Sequence, residues 1–196
     1  LSGGPSSVYD PEAPKYNPDI LQIDKPILGL CYGHQLLCHR LGGRVERGET
    51  HEFGAAYLEV KRARGVLAGL DERELVWMSH RDAVKALPPG FEVLGATDDC
   101  PVAAMGDEAR RIYGLQFHPE VTHTTRGMEI LDNFVALCGA DRTWTMEQYI
   151  EQTMERVQQQ AVGRNVFLLV SGGVDSSVAF LLLNRALGED RVLGLH

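Results

Sequence analysis

The stretch ILGLCYGHQLLCHRLGG, Ile27 to Gly43, limits most strongly what this chain can fold into. A short apolar run after Pro26 enters Gly29-Leu30-Cys31-Tyr32-Gly33, and a helix-like segment follows at once. Pro26–Leu30 has the length and content of a buried parallel strand. Gly33–Leu41 places Leu36, Leu37 and Leu41 on one helical face, and Gly42-Gly43 stop it. A strand that becomes a helix over so few residues needs a sharp turn, which the two glycines permit. Cys31 is then held at the end of a sheet. The N–H groups and positive dipole end of the next helix point at its sulfur and favour thiolate over thiol. A lone cysteine in a turn is also a common small core residue, so the bend by itself does not settle the chemistry.

The rest of the chain alternates strand-like and helix-like segments. Glu52–Val60, Leu75–Met78 and Ile112–Phe117 read as strands, and Gly127–Leu137 reads as a helix with Ile130, Leu131, Phe134, Val135 and Leu137 apolar. This mixture argues for an α/β domain. Near Gly139 the character changes. Trp144–Gln160 is rich in Glu, Gln and Met and reads as an amphipathic helix. Val166–Val170 follows as a strand, then SGGVDSS, a helix over Val178–Leu187 closed by Gly188, and the strand Val192–Leu195. The expected organisation is a domain over 1–140, a connecting helix over 141–163 and the start of a second α/β domain over 164–196. For 196 residues, one full domain and part of another is reasonable. Leu1 in place of Met and the apolar ending suggest a piece of a longer chain.

The segment GLQFHPEV supplies what Cys31 needs. His118 and Glu120 are two apart, so on extended backbone they point to one side. A Cys nucleophile needs a base, and the base needs an acid to fix its tautomer and orientation. His-x-Glu alone is an ordinary surface pair; together with a cysteine at a bend it suggests a Cys31-His118-Glu120 triad. His39, His51 and His123 have no such setting and read as surface or cap residues, while His34 sits beside the turn.

At this point the sequence resembles the class I (triad) glutamine amidotransferase family over residues 1 to about 138. GLCYGHQ and GLQFHPEV carry the resemblance, with SGGPSSVYD, WMSHRD and THTTRGMEILDNF. It implies a mixed, mainly parallel sheet flanked by helices and hydrolysis of the glutamine side-chain amide. Cys31 would attack, His118 would move the proton and Glu120 would hold His118. The backbone N–H groups of Gly4 and Tyr32 would take the oxyanion. Gln35, Ser79, His80 and Asp82 would bind the substrate amino acid. Arg81 stands where the family leads one to expect glycine.

FLLVSGGVDSSVAFLLL is a second strand–loop–helix junction, whose backbone N–H groups at a helix start suit an anion. It lacks the Gly-Lys-Ser/Thr of a Walker A loop. It resembles the PP-loop of the ATP pyrophosphatases. By that resemblance Ser171, Gly172, Gly173, Val174, Asp175, Ser176 and Ser177 hold ATP, Asp175 helps hold Mg²⁺, and no prosthetic group is required. The two motifs in this order imply an ammonia-using ligase with glutamine, ATP and xanthosine monophosphate (XMP) as ligands and a homodimer of the longer chain. Two readings compete with it: a glutaminase domain serving another synthetase, and a non-catalytic fragment. The fragment as given would lack the family's opening strand and helix, the XMP pocket and the dimerisation region, so weak glutaminase is the activity expected of it.

Composition narrows the alternatives. A net charge of -8 argues against nucleic-acid and membrane-surface partners. No apolar run approaches the roughly 18 residues of a transmembrane helix. Cys31, Cys38, Cys100 and Cys138 form no CxxC pair, which argues against a structural zinc or disulfide framework and fits a reducing cytoplasm.

Overall fold

The computed structural model describes residues 1–141 and 143–196, with the side chains of Glu49 and Thr50 outside the description. It divides into two compact units, Leu1–Ala140 and Asp141–His196. The expected connecting segment over 141–163 includes Arg142, which lies outside the described residues.

The first unit holds β1 (Ile27–Leu30), α1 (Tyr32–Arg40), β2 (Arg44–Val60), β3 (Arg73–Ala86), β4 (Glu92–Ala96), β5 (Ala104–Asp107), β6 (Ile112–Leu115) and α2 (Gly127–Leu137). The strands form one sheet in the order β1-β6-β5-β4-β2-β3. The architecture is mixed α/β as expected, but the sheet is not mainly parallel. β1 and β6 run parallel, while the other neighbours pair antiparallel. The cause lies in the connections. β1 and β6 are far enough apart in sequence for a crossover, whereas β4, β5 and β6 follow one another through short turns that reverse direction.

Residues on alternate sides of each strand feed two separate cores. Ile27, Met105 and Ile112 pack with Leu36, Leu37 and Cys38 of α1. Leu28, Ala104, Tyr113 and Leu115 pack on the other face with Ile130 of α2, backed by Leu131, Phe134 and Leu137. The sheet is thus sandwiched between α1 and α2. α1 is buried from Tyr32 to Cys38, on every side rather than along one stripe. α2 is tied down by Asn133, whose amide donates to the carbonyls of Val66 and Ala68 at 3.1 and 2.8 Å.

β2 and β3 are the largest departure from expectation. Each is far longer than the short strand read from sequence, and residues 79–82, beyond the strand expected at Leu75–Met78, continue β3. β4 and β5 were not foreseen at all.

The second unit holds α3 (Met146–Gln160), β7 (Val166–Leu169), α4 (Val174–Leu187) and β8 (Val192–Leu195). Thr145 caps α3 by accepting the Gln148 N–H. β7 and β8 pair in parallel with α4 as crossover, a βαβ unit. No helix among the described residues is long and apolar enough to cross a membrane.

Candidate active site around Cys31

Cys31 sits between β1 and α1 with φ 51° and ψ -106°, a left-handed conformation that a side chain rarely adopts. The surroundings enforce it. The Cys31 N–H donates to the Leu115 carbonyl of β6 at 2.8 Å, which carries the strand pairing one residue further. The first residues run alongside: Leu30 N–H donates to Leu1 O at 2.9 Å and Gly33 N–H to Ser2 O at 3.1 Å. A Cβ on Gly33 would lie 2.5 Å from the Leu1 carbonyl oxygen, and one on Gly29 would lie 2.5 Å from that of Gly33. Both glycines are therefore required by close backbone packing. Strain of this kind persists where the surrounding structure fixes it, and it gathers at functional sites.

The turn opens on a cleft of about 800 Å³ lined by Gly3, Gly4, Tyr9, Gln35, Asp82 and His118 among others. His118 follows the end of β6 and is held by its N–H to the Trp77 carbonyl, 3.0 Å. The Thr124 hydroxyl donates to the His118 carbonyl at 2.6 Å. The His118 ring Nδ1 lies 2.7 Å from Glu120 Oε1. Cys31 and His118 meet over Gly3: a Cβ built there would be 3.4 Å from the His118 ring and 4.0 Å from the Cys31 sulfur.

The sulfur beside the ring does most to stabilise the imidazolium, and Glu120 adds to it. Together they outweigh partial burial and lift the His118 pKa from 6.5 to about 9. The thiol proton has two claimants, since Cys31 Sγ also approaches the Ser79 carbonyl at 3.4 Å. That contact is long, and the charged ring is the stronger partner once the proton leaves sulfur. Burial pushes Cys38 up to about 11 and Cys100 up to about 12.

The remaining expected site residues fall into two groups. Gly4 lines the cleft and lies beside Tyr32, with its notional Cβ 3.7 Å from the Tyr32 ring. Ser79 and Asp82 line the cleft from β3. Gln35 and His80 also reach it, but the Gln35 amide nitrogen and both His80 ring nitrogens are already engaged. Gln35 Nε2 donates to the Asp82 carbonyl at 2.9 Å and to Gln116 Oε1 at 3.0 Å. His80 Nδ1 lies 3.0 Å from the Asp82 carbonyl and Nε2 lies 3.0 Å from Glu52 Oε2. The Thr97 hydroxyl donates to the other Glu52 oxygen at 2.9 Å. His80 and Gln35 thus brace the wall that carries Asp82. His34 is fully buried without a well-formed hydrogen bond at either ring nitrogen, and burial lowers its pKa to about 3.

Several residues here were not read from sequence. The Tyr9 hydroxyl donates to Asp82 Oδ1 at 3.1 Å. Glu52 and Gln116 complete the bracing, and Arg47, Phe53 and Arg81 line the cleft. Only Gln116 carried a signal, two residues before His118 on the same face of the chain.

In the second unit, SGGVDSS leads from β7 into α4. Gly172 is left-handed with φ 81°, and Gly173 is the N-cap. The Ser176 hydroxyl donates to the Gly173 carbonyl at 3.1 Å and lies 3.2 Å from that of Ser171. Val174, Asp175, Ser176 and Ser177 form the first turn of α4, which starts four residues before the expected Val178.

Known proteins with similar sequences and folds place this arrangement. Residues 1–138 match the family described as Glutamine amidotransferase class-I. The chain is 48% identical over 190 residues to a protein named GMP synthase [glutamine-hydrolyzing] from Geobacillus kaustophilus, covering 96% of this chain and 37% of that protein. It is 50% identical over 186 residues to one of the same name from Thermus thermophilus, covering 95% and 37%. The chain thus spans little more than a third of the curated relatives it matches. Among solved structures, a protein described as a GMP synthase subunit from Thermoplasma acidophilum superposes with TM-score 0.60 at 34% identity, over 61% of this chain and 60% of that one. A glutamine amidotransferase from Thermotoga maritima shares the fold with TM-score 0.54 at 22% identity, over 96% and 69%.

Proposed function

This chain belongs to the class I glutamine amidotransferase family, and from that premise we propose that its cleft hydrolyses glutamine to glutamate and ammonia through Cys31, His118 and Glu120. The observation that supports this most is the strained Cys31 facing an imidazole whose far nitrogen is 2.7 Å from a carboxylate. His118 takes the thiol proton, and the sulfur attacks the amide carbon. The oxygen that becomes negative is held by the backbone N–H groups of Gly4 and Tyr32, each donor worth about 2.7–4 kcal/mol of barrier. The C–N bond then breaks, His118 returns the proton to the departing nitrogen as ammonia, and a thioester remains on Cys31. Water attacks the thioester with His118 accepting its proton, which releases glutamate and restores the thiol. Glu120 keeps the ring oriented and charged at the right moment. Asp82, on a wall braced by Tyr9 and Gln35, receives the substrate's α-ammonium, with Ser79 next to it.

On the same reading the second unit begins an ATP site. Ser171 to Ser177 would surround the pyrophosphate portion with backbone N–H groups at the start of α4. Asp175 is exposed in that first turn. One carboxylate beside phosphate oxygens suits Mg²⁺, which keeps part of its shell as water and phosphate and would neutralise charge on the leaving pyrophosphate. The relatives' name extends the proposal to glutamine-dependent GMP synthesis by the longer protein. There XMP would be adenylylated, and ammonia would displace AMP.

The test is glutamate release from glutamine by this chain and by Cys31→Ser. Release that disappears in the variant supports the assignment. Release that persists in Cys31→Ser, or a wild-type chain that neither releases glutamate nor binds glutamine, overturns it.

A further inference from the structure

Glutamine is a zwitterion, so a cleft that orients it must meet an ammonium and a carboxylate. Asp82 answers the first. From sequence, Ser79, His80 and Asp82 together were expected to grip both groups. His80 is not free to do so, because one ring nitrogen faces the Asp82 carbonyl and the other faces Glu52. A carboxylate leaving water needs charged or strong donors. Besides His118, which is committed to Cys31 and Glu120, the cations lining the cleft are Arg47 and Arg81. Neither side chain forms a hydrogen bond or ion pair with another described residue.

Both line the cleft where the β2–β3 ladder is interrupted. Arg47 pairs with Asp82, and Glu52 pairs with His80. Between these pairings the four residues Gly48 to His51 of β2 oppose the single residue Arg81 of β3. A bulge of this kind breaks the ladder and re-aims side chains, and such bulges gather near active sites. Along β3, burial alternates so that Arg81 is exposed between buried His80 and Asp82. The anchoring acid and the free cation are therefore adjacent in sequence, with a second cation across the strand pair.

We infer that Arg81, seconded by Arg47, is the α-carboxylate clamp of the cleft and selects for a free α-amino acid carrying a side-chain amide. The inference rests on the amidotransferase reading above. A guanidinium matches a carboxylate through two parallel N–H···O bonds, which a glycine at position 81 does not offer.

The test reads occupancy of the cleft through Cys31 alkylation rather than turnover. The chain carries Cys138→Ser, because Cys138 is the exposed thiol outside the cleft. Iodoacetamide labelling of Cys31 is timed with rising glutamine, and again with 4-aminobutanamide, which is glutamine without its α-carboxylate. Arg81→Gln is expected to weaken shielding by glutamine about tenfold, Arg47→Gln less, and the pair together more than Arg81→Gln alone, with Arg81→Lys between wild type and Arg81→Gln. Shielding by 4-aminobutanamide should not change. The ratio of labelling by anionic iodoacetate to neutral iodoacetamide should also fall several-fold in Arg81→Gln. Both arginines are exposed, so these variants should fold as the parent does. If glutamine fails to shield wild-type Cys31, the amidotransferase reading falls and the clamp with it. If glutamine shields wild type and the arginine variants equally, with an unchanged reagent ratio, the clamp alone is overturned.

Discussion

The chain turns from strand to helix through glycines at two places, and the two turns are built in opposite ways. At Gly29–Gly33 the left-handed residue is not a glycine but Cys31, and the glycines on either side let other backbone approach to contact distance. At Ser171–Ser177 the left-handed residue is Gly172, its neighbours are exposed, and the serines bond among themselves. The first turn presents one side chain and buries everything around it. The second presents backbone N–H groups and needs no side chain at its bend. A nucleophile must be aimed to a fraction of an ångström, whereas a phosphate-binding loop can settle on its ligand.

The comparison breaks most easily at Gly33. Gly33→Ala would force a Cβ to 2.5 Å from the carbonyl oxygen of Leu1, a residue held to β1 by its amino group on the Leu28 carbonyl and by the Leu30 N–H. The first unit should lose about 3 kcal/mol or more, the upper range for overpacking, and Cys31 should lose its selective reactivity. Urea unfolding together with iodoacetamide labelling would show this. A Gly33→Ala chain of parental stability would mean that the elbow is not held as described.

A second test concerns proton supply. Glu120→Gln keeps the size of the side chain but removes the charge that helps lift His118 to about 9. Glutamine hydrolysis should fall about a hundredfold, less than the roughly ten-thousandfold loss in a buried triad, because Glu120 is 47% exposed at its side chain. In the parent, hydrolysis should fall as pH rises through about 9, where the imidazolium proton needed by the leaving ammonia is lost. Alkylation of Cys31, which needs only thiolate, should not fall there. In Glu120→Gln the alkaline limb should move below 9. The stability linkage has the same sign. The folded His118 binds its proton more tightly than the unfolded chain does, so its contribution is complete below pH 6.5 and disappears as pH rises through about 9.

How much of this could be read from sequence follows from how local each cause is. β1, the elbow, α2 and the pair His118-Glu120 are written in neighbouring residues: apolar runs, glycines, and a two-residue spacing. β3 is not. Ser79, His80, Arg81 and Asp82 look like a polar loop, and they are strand because Glu52, itself held by the Thr97 hydroxyl, satisfies His80 while Tyr9 satisfies Asp82. Those partners are 15 or more residues away, so a period-two pattern with polar residues on the buried side hid the strand. β2 was cut short because its bulge at Gly48 to His51 interrupts the alternation. β4 and β5 are short, rich in Gly and Ala, and become strands only through neighbours on both sides. The arginines of the cleft are visible as letters, but only the bulge turns them into a candidate site.

The smallest effect tests the other half of the comparison. At Gly172 an alanine must adopt φ near 81°, which costs an L-residue about 1–2 kcal/mol. Its Cβ would meet only the end of the His196 side chain, at 3.2 Å, and that ring can swing away. No cost beyond the backbone strain is therefore expected. Amide exchange across Val166–Leu187 should quicken by about tenfold in Gly172→Ala, while exchange in the first unit and labelling of Cys31 should match the parent. On the proposed ATP reading, Gly172→Ala should also weaken ATP binding more than it weakens the fold, since the added methyl would lie among the N–H groups proposed to meet phosphate. A loss as large as that at Gly33 would show that the second turn is as tightly locked as the first, and the contrast between an aimed side chain and an adaptable cradle would be lost.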